Sequence, residues 1–149
     1  MSDCLTYAQR YLGRYPKTVW EMHRQLAKKW YSEEDISETI PVLIKQGFLD
    51  DHWYAQAYLH SEVTRKGKPL AIIKQKLLSK GIDKVVLNQL IDGLEEELAE
   101  GMQQKIAKEI DRLRAKGKSD QEITAILTRR GFAYELIKSV LFPYLQEGI

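Results

Sequence analysis

The sequence predicts an all-α protein, and three observations carry that prediction. Apolar residues recur at helical spacing along nearly the whole chain, single glycines close one run after another, and a block of roughly fifty residues repeats. No stretch of the 149 residues shows the sustained period-two alternation of a half-buried strand.

Taken in order, the first helix is expected over 5–13. The second, 18–29, opens on Thr18-Val-Trp-Glu21, the spacing at which hydroxyl and carboxylate each satisfy a free backbone N–H. The third, 32–46, buries one face through Ile36, Ile40, Leu43 and Ile44 and is closed by Gly47. Asp50 and Asp51 follow. A catalytic or metal-binding carboxylate pair needs further groups converging on it, and none is evident, so Asp51 is expected to be the N-cap of a helix over 51–65 and Asp50 to sit favourably at its dipole. The fifth helix, 69–79, enters on Pro69, buries Leu70, Ile73 and Leu77, and is closed by Gly81. Helices over 83–98 and 102–116 come next, the latter through Met102, Ile106, Ile110 and Leu113 and closed by Gly117. The eighth, 119–129, opens on the capping box Ser119-Asp-Gln-Glu122 and is closed by Gly131. The ninth, 133–147, carries Ile137, Val140, Leu141 and Tyr144.

The repeat emerges when residues 77–91 are laid over 127–141. Leu77 meets Leu127, Lys80 meets Arg130, Gly81 meets Gly131, Leu87 meets Ile137 and Ile91 meets Leu141. Residues 26–40 fit the same frame, with Trp30 in the glycine's place. Three tandem three-helix repeats, helix-turn-helix-like, are therefore expected at 1–50, 51–99 and 100–149. Units this small bury little alone, so they should stack into one elongated, curved array, with Trp53, Tyr54 and Tyr58 as candidates for the junctions.

Composition narrows the function classes. The chain is 44% hydrophobic and 30% charged, as folded soluble proteins are. No apolar run approaches the roughly 20 residues that span a bilayer, and the N-terminus lacks a signal's apolar stretch. The lone Cys4 suits a reducing cytoplasm, the expected location. His23, His52 and His60 show no metal-ligand spacing, Cys4 has no nucleophile signature, and "RKGKP" is no phosphate loop. The expectation is therefore a protein with no catalytic, cofactor or metal site, which sets a metal-dependent hydrolase aside.

The formal charge is only +2, yet its distribution is uneven. From Thr64 to Lys80 the chain holds Arg65, Lys66, Lys68, Lys74, Lys76 and Lys80 and no acid. A binding face for phosphates or an acidic partner surface is expected there. Arg112, Arg114, Lys116, Lys118, Arg129 and Arg130 form a second cluster, diluted by Asp111, Asp120 and Glu122. Aromatics are interleaved with these runs only loosely, so base stacking is not indicated.

The ordered set of motifs resembles the RecX family, bacterial regulators of the RecA recombinase. "GFLDDHWYAQAYL" followed by "TRKGKPLAIIKQKLLSKGID" is similar to that family's centre, through Gly47, Leu49, Asp50 and Asp51, then Arg65, Lys66 and Gly67, then Leu77, Lys80, Gly81 and Ile82. "TVWEMHRQL" and "LTRRGFAYELIKSVL" resemble its flanking motifs, so the likeness covers essentially the whole chain. Two positions depart: Ile72 stands where the family often has arginine, and Lys76 where it often has glutamate. The resemblance implies a monomeric, cofactor-free, non-enzymatic regulator of recombination, DNA repair and the SOS response. It would bind the RecA filament on single-stranded DNA, suppress ATP hydrolysis, strand exchange and coprotease activity, and touch free DNA at most weakly. Charge segregation then places the filament-binding face at Arg65, Lys66, Lys68, Lys74, Lys76 and Lys80, with Arg129 and Arg130 second.

The rival from another class is a sequence-tolerant DNA-binding helical module, because "LLSKGID" and "LTRRGFA" have glycine at a helix–turn–helix-like turn. The helices that would read a groove argue against it. Residues 83–98 end in acids, and 133–147 carries Lys138 as its one base.

Overall fold

The computed structural model describes residues 2–143. Among them are nine α-helices: α1 (Ser2–Arg14), α2 (Val19–Lys28), α3 (Glu33–Lys45), α4 (Asp51–Leu59), α5 (Leu70–Ser79), α6 (Lys84–Gly93), α7 (Glu95–Ala115), α8 (Asp120–Arg129) and α9 (Tyr134–Leu141). A π-helical stretch, His60–Arg65, continues α4, and no strand occurs among the described residues. None of these helices is long and apolar enough to cross a membrane.

Two compact units form. Unit 1 comprises the residues up to Ala57 together with Lys76–Leu90; unit 2 comprises Tyr58–Gln75 together with the residues from Ile91 onward. The stretch 51–99, expected as the middle repeat, thus contributes to both.

In unit 1, α1, α2 and α3 pack on one another. Their core is Cys4, Ala8, Leu12, Met22, Leu26, Ile36, Ile40, Leu43 and Leu49. Cys4 is 1% exposed and sits in this core, so α1 starts before the expected residue 5 and the thiol is a packing group. Ile44, expected on the buried face of α3, is half exposed at 50%. Tyr7 and Tyr11 of α1, and Tyr15 just past its end, meet at successive i, i+4 positions as tilted ring pairs with centroids 5.9 and 5.2 Å apart. In unit 2, α7, α8 and α9 pack on one another, and the π-helical stretch packs on α7. Ile106, Ile110, Ile123, Leu127 and Ile137 fill that core.

The turns explain why the same frame recurs. At Leu77–Ile82 the Gly81 N–H donates to Leu78 O and the Ile82 N–H to Leu77 O. At Leu127–Phe132 the Gly131 and Phe132 N–H groups repeat that pattern on Thr128 O and Leu127 O. At Leu26–Tyr31 the donors are Trp30 and Tyr31, to Ala27 O and Leu26 O. All three are the two-bond stop in which a left-handed residue satisfies the last carbonyls. That residue has φ 85° at Gly81, 105° at Gly131 and 70° at Trp30. Trp30 thus takes up a conformation that costs a side chain roughly 1–2 kcal/mol, and it is 94% exposed.

Two expected boundaries move. The break expected between 98 and 102 lies instead at Leu94, and Gly101 is inside α7. It is there for space: a Cβ on Gly101 would come within 3.0 Å of Thr64 Cα on the π-helical stretch. The ninth helix ends at Leu141 instead of 147, because Phe142 precedes Pro143 and takes φ −129°, ψ 64°. Tyr144 lies outside the described residues. The acid pair also exchanges roles. Asp50 caps α4 by accepting from Trp53 N at 3.0 Å, while Asp51 reaches across to accept from Val19 N at 2.9 Å in the first turn of α2. Burial raises the Asp51 pKa; the Val19 N–H opposes the rise, and neighbouring Asp50 and Glu21 add to it. Both carboxylates hold helix starts. Both expected capping boxes, Thr18–Glu21 and Ser119–Glu122, are present.

Candidate binding surfaces

The cations expected to form the binding face do not share one environment. Lys66 Nζ lies 3.0 Å from Glu62 Oε1, and Lys68 Nζ lies 2.8 Å from Glu62 Oε2. Glu62 sits just upstream of the acid-free window, and the π-helical stretch and the turn at Gly67 fold both lysines back onto it. Lys68 holds the Glu62 carboxyl below its ordinary range against the opposing effect of burial, with Lys66 helping. Lys80 Nζ is 3.3 Å from Glu21 Oε2 and 6.0 Å from the Tyr54 ring centre. Burial opposes its charge, but Glu21 and Tyr54 outweigh that effect and raise its pKa. The same short segment is tied down by Thr18, whose hydroxyl donates to Lys80 O at 2.5 Å.

Arg130 is also engaged. Its guanidinium lies 2.9 Å from Glu109, which also takes Arg112 at 2.9 Å and Lys105 at 3.4 Å. Arg112 above all, then Arg130 and Lys105, hold the Glu109 carboxyl at about 2 against its desolvation. Of the second basic cluster, Arg114 pairs with Asp120 and Lys118 with Glu122, so two of the three acids that diluted it in sequence also offset part of its charge in space.

Among the described residues Arg65, Lys74, Lys76 and Arg129 form no ion pair. Arg65 and Lys74 belong to unit 2 with Lys66, Lys68, Arg129 and Arg130, whereas Lys76 and Lys80 belong to unit 1. Ile72, at the position of an expected arginine, is 40% exposed, and its side chain lies over Gly131, where an added Cβ would come within 2.8 Å of its Cδ1. It packs the turn that enters α9 instead of offering a charge.

A groove of about 770 Å³ on unit 1, outside the basic runs of the sequence, is lined by Tyr11, Lys17, Trp20, Glu21, Arg24 and Lys28 among others. Trp20, Arg24 and Lys28 follow one another at i, i+4 and i+8 on α2, and the Arg24 guanidinium carbon sits 4.6 Å above the Trp20 ring centre. The groove's carboxylate, Glu21, is already committed to Lys80. Lys17, Arg24 and Lys28 form no ion pair among the described residues, so this groove is cationic and aromatic together. The signal was legible as the helical spacing of those three residues, but it lies outside the runs where charge alone drew attention.

No group of three or more His, Cys, Asp or Glu among the described residues could hold a metal ion. The histidines sit singly, His23 beside Glu33 at 3.4 Å and His60 beside Glu97 at 3.2 Å.

Helices with recurring stops, and charge distributed over surfaces and grooves, define an all-helical protein with several candidate binding surfaces. No family model matches the chain. It is 30% identical over 132 residues to the regulatory protein RecX of Streptococcus uberis, covering 87% of this chain and 51% of that protein. It is 29% identical over 139 residues to the regulatory protein RecX of Pelodictyon phaeoclathratiforme, covering 92% of this chain and 86% of that one. The crystal structure of RecX from Lactobacillus salivarius matches with a TM-score of 0.79 at 25% identity, over 98% of this chain and 94% of that one. In sequence and in fold, over nearly its whole length, the chain is similar to proteins of the RecX family. It spans about half the length of the Streptococcus relative.

Proposed function

We propose that this protein regulates homologous recombination and DNA repair by binding the RecA–single-stranded DNA filament and inhibiting its ATPase, strand-exchange and coprotease activities. Similarity over nearly the whole chain to proteins named as regulatory protein RecX carries the reading. The regulator would act by binding, in the cytoplasm and as a monomer, with no chemistry of its own. Its three helix triplets, 1–50, 51–99 and 100–149, would be the repeating elements that meet the filament. Arg65, Lys66, Lys68, Lys74, Lys76 and Lys80 would form the main contact face, with Arg129 and Arg130 second. Within that face the unpaired Arg65, Lys74, Lys76 and Arg129 should contribute most per residue, because they surrender no internal partner on binding.

The test is single-stranded-DNA-dependent ATP hydrolysis by the cognate RecA, with this protein titrated well below one per recombinase and a control without recombinase. Substoichiometric suppression is the expected result; an unchanged rate up to equimolar protein would overturn the proposal. One observation favours the second reading, a sequence-tolerant DNA-binding module: the Trp20–Arg24–Lys28 groove joins cations to an aromatic face. That reading predicts binding to bare DNA as tight as binding to the filament.

A further inference from the structure

Unit 2 carries a second kind of surface, opposite in chemistry to the basic positions. A cavity of about 420 Å³ opens between the start of α5, the α6–α7 junction and the turn into α9. Leu98, Met102 and Phe132 form its floor and are each at most 6% exposed. Ala71, Ala99 and Ala133 line it, and their small side chains leave its volume open. Asp92 and Glu95 stand at its edge, both exposed, and neither forms an ion pair among the described residues. Ile72 and Tyr134, next in sequence to two of the alanines, are 40% and 54% exposed. We propose that this cavity is a docking site for a helix of a protein partner that presents an apolar anchor beside an arginine or lysine.

The chemistry selects that occupant. Burying an anchor against Leu98, Met102 and Phe132 supplies the apolar contact, at roughly 25 cal/mol per Å² removed from water. The volume is near the lower end of the roughly 300–1,000 Å³ of ligand sites, which suits anchoring side chains better than an extended segment. The two carboxylates then select by charge: they repel a phosphate backbone or an acidic helix and favour a cation set beside the anchor. Anchor and cation one helical turn apart on the partner would meet the floor and the edge together. The inference does not depend on the regulatory role proposed above, since it follows from this cavity alone.

The experiment is a selection on the full chain from a displayed library of helical peptides, followed by amide chemical-shift mapping of the enriched peptides. Two variants report on the two halves of the site. Ala71→Phe, at an exposed position of α5, fills the cavity; Asp92→Lys with Glu95→Lys reverses its edge and touches no ion pair. Enriched peptides should carry Leu, Ile or Phe followed by Arg or Lys and should shift the amides of Leu98, Ala99 and Met102. Ala71→Phe should weaken them at least tenfold. The charge reversal should do the same for basic peptides, while leaving copies with glutamine in place of the base within about twofold. A selection that yields no peptide dependent on these positions, that yields acidic peptides, or that yields only shifts elsewhere would overturn the proposal. So would saturation of the cavity by a small apolar probe such as indole with no peptide able to displace it.

Discussion

The cations around Glu62 and Glu109 differ from those lining the α2 groove in what they face. Lys66, Lys68 and Arg130 point their charge at a mostly buried carboxylate of their own unit. Lys17, Arg24 and Lys28 line an open groove, Arg24 stacked on Trp20, and form no ion pair among the described residues. The first set holds helices in place and the second is available to an anion. Basic residues counted along a chain therefore overstate the charge a surface can offer, because an acid a few residues outside the window can fold back to cancel it.

The largest effect should come from removing the most heavily shared carboxylate. Glu109→Gln strands Lys105, Arg112 and Arg130 together and should cost about 2 kcal/mol, the size of charged hydrogen bonds to a group removed from water, read by urea unfolding. The Glu109 pKa is depressed to about 2 in the folded state. Its contribution is therefore present above the unfolded value near 4.5 and is lost as pH falls toward 2. The variant should accordingly lose less stability than the parent between those pH values; equal acid sensitivity would mean the triple pairing does not hold in solution.

Next comes Gly81→Ala. A side chain there meets left-handed strain of roughly 1–2 kcal/mol and overlaps the Trp20 side chain, so destabilisation of at least that size is expected. Trp30→Gly works in the opposite direction at the matching turn. Relief of strain, less the roughly 0.4–1 kcal/mol of unfolded-state entropy that glycine adds, should leave a gain of about 0.5 kcal/mol. A loss instead would show that the turn at 26–31 is not equivalent to its two counterparts. Smallest is Lys66→Gln, which removes one partly exposed pair and should change stability by less than about 0.5 kcal/mol.

Particular residues show where the sequence was legible. The helix starts at Thr18 and Ser119 and the stops at Gly47, Gly81, Gly117 and Gly131 could be read directly, because capping is local chemistry written within four residues. Gly101 could not, since a glycine kept for close approach to Thr64 looks identical in sequence to one that ends a helix. Asp50 and Asp51 were recognisable as helix caps, but which helix each serves depends on Val19 lying 32 positions away in the chain. The binding candidates suffered most. Glu62, Glu21 and Glu109 neutralise lysines and arginines through contacts that no window over the basic run contains, at separations up to 59 residues. The α2 groove was missed for the converse reason: its three cations and two aromatics are spread over two helices and the loop between them.

The measurement that tests the account most directly is affinity for the RecA–single-stranded DNA filament as a function of salt, for two paired-lysine variants. One is Lys74→Gln with Lys76→Gln, the unpaired lysines; the other is Lys66→Gln with Lys68→Gln, those held by Glu62. The account predicts that the first pair weakens binding several-fold and reduces the salt slope by about 1.4, two contacts at roughly 0.7 each, while the second reduces affinity and slope by clearly less. Equal losses from both pairs, or a loss confined to Lys66 and Lys68, would contradict it.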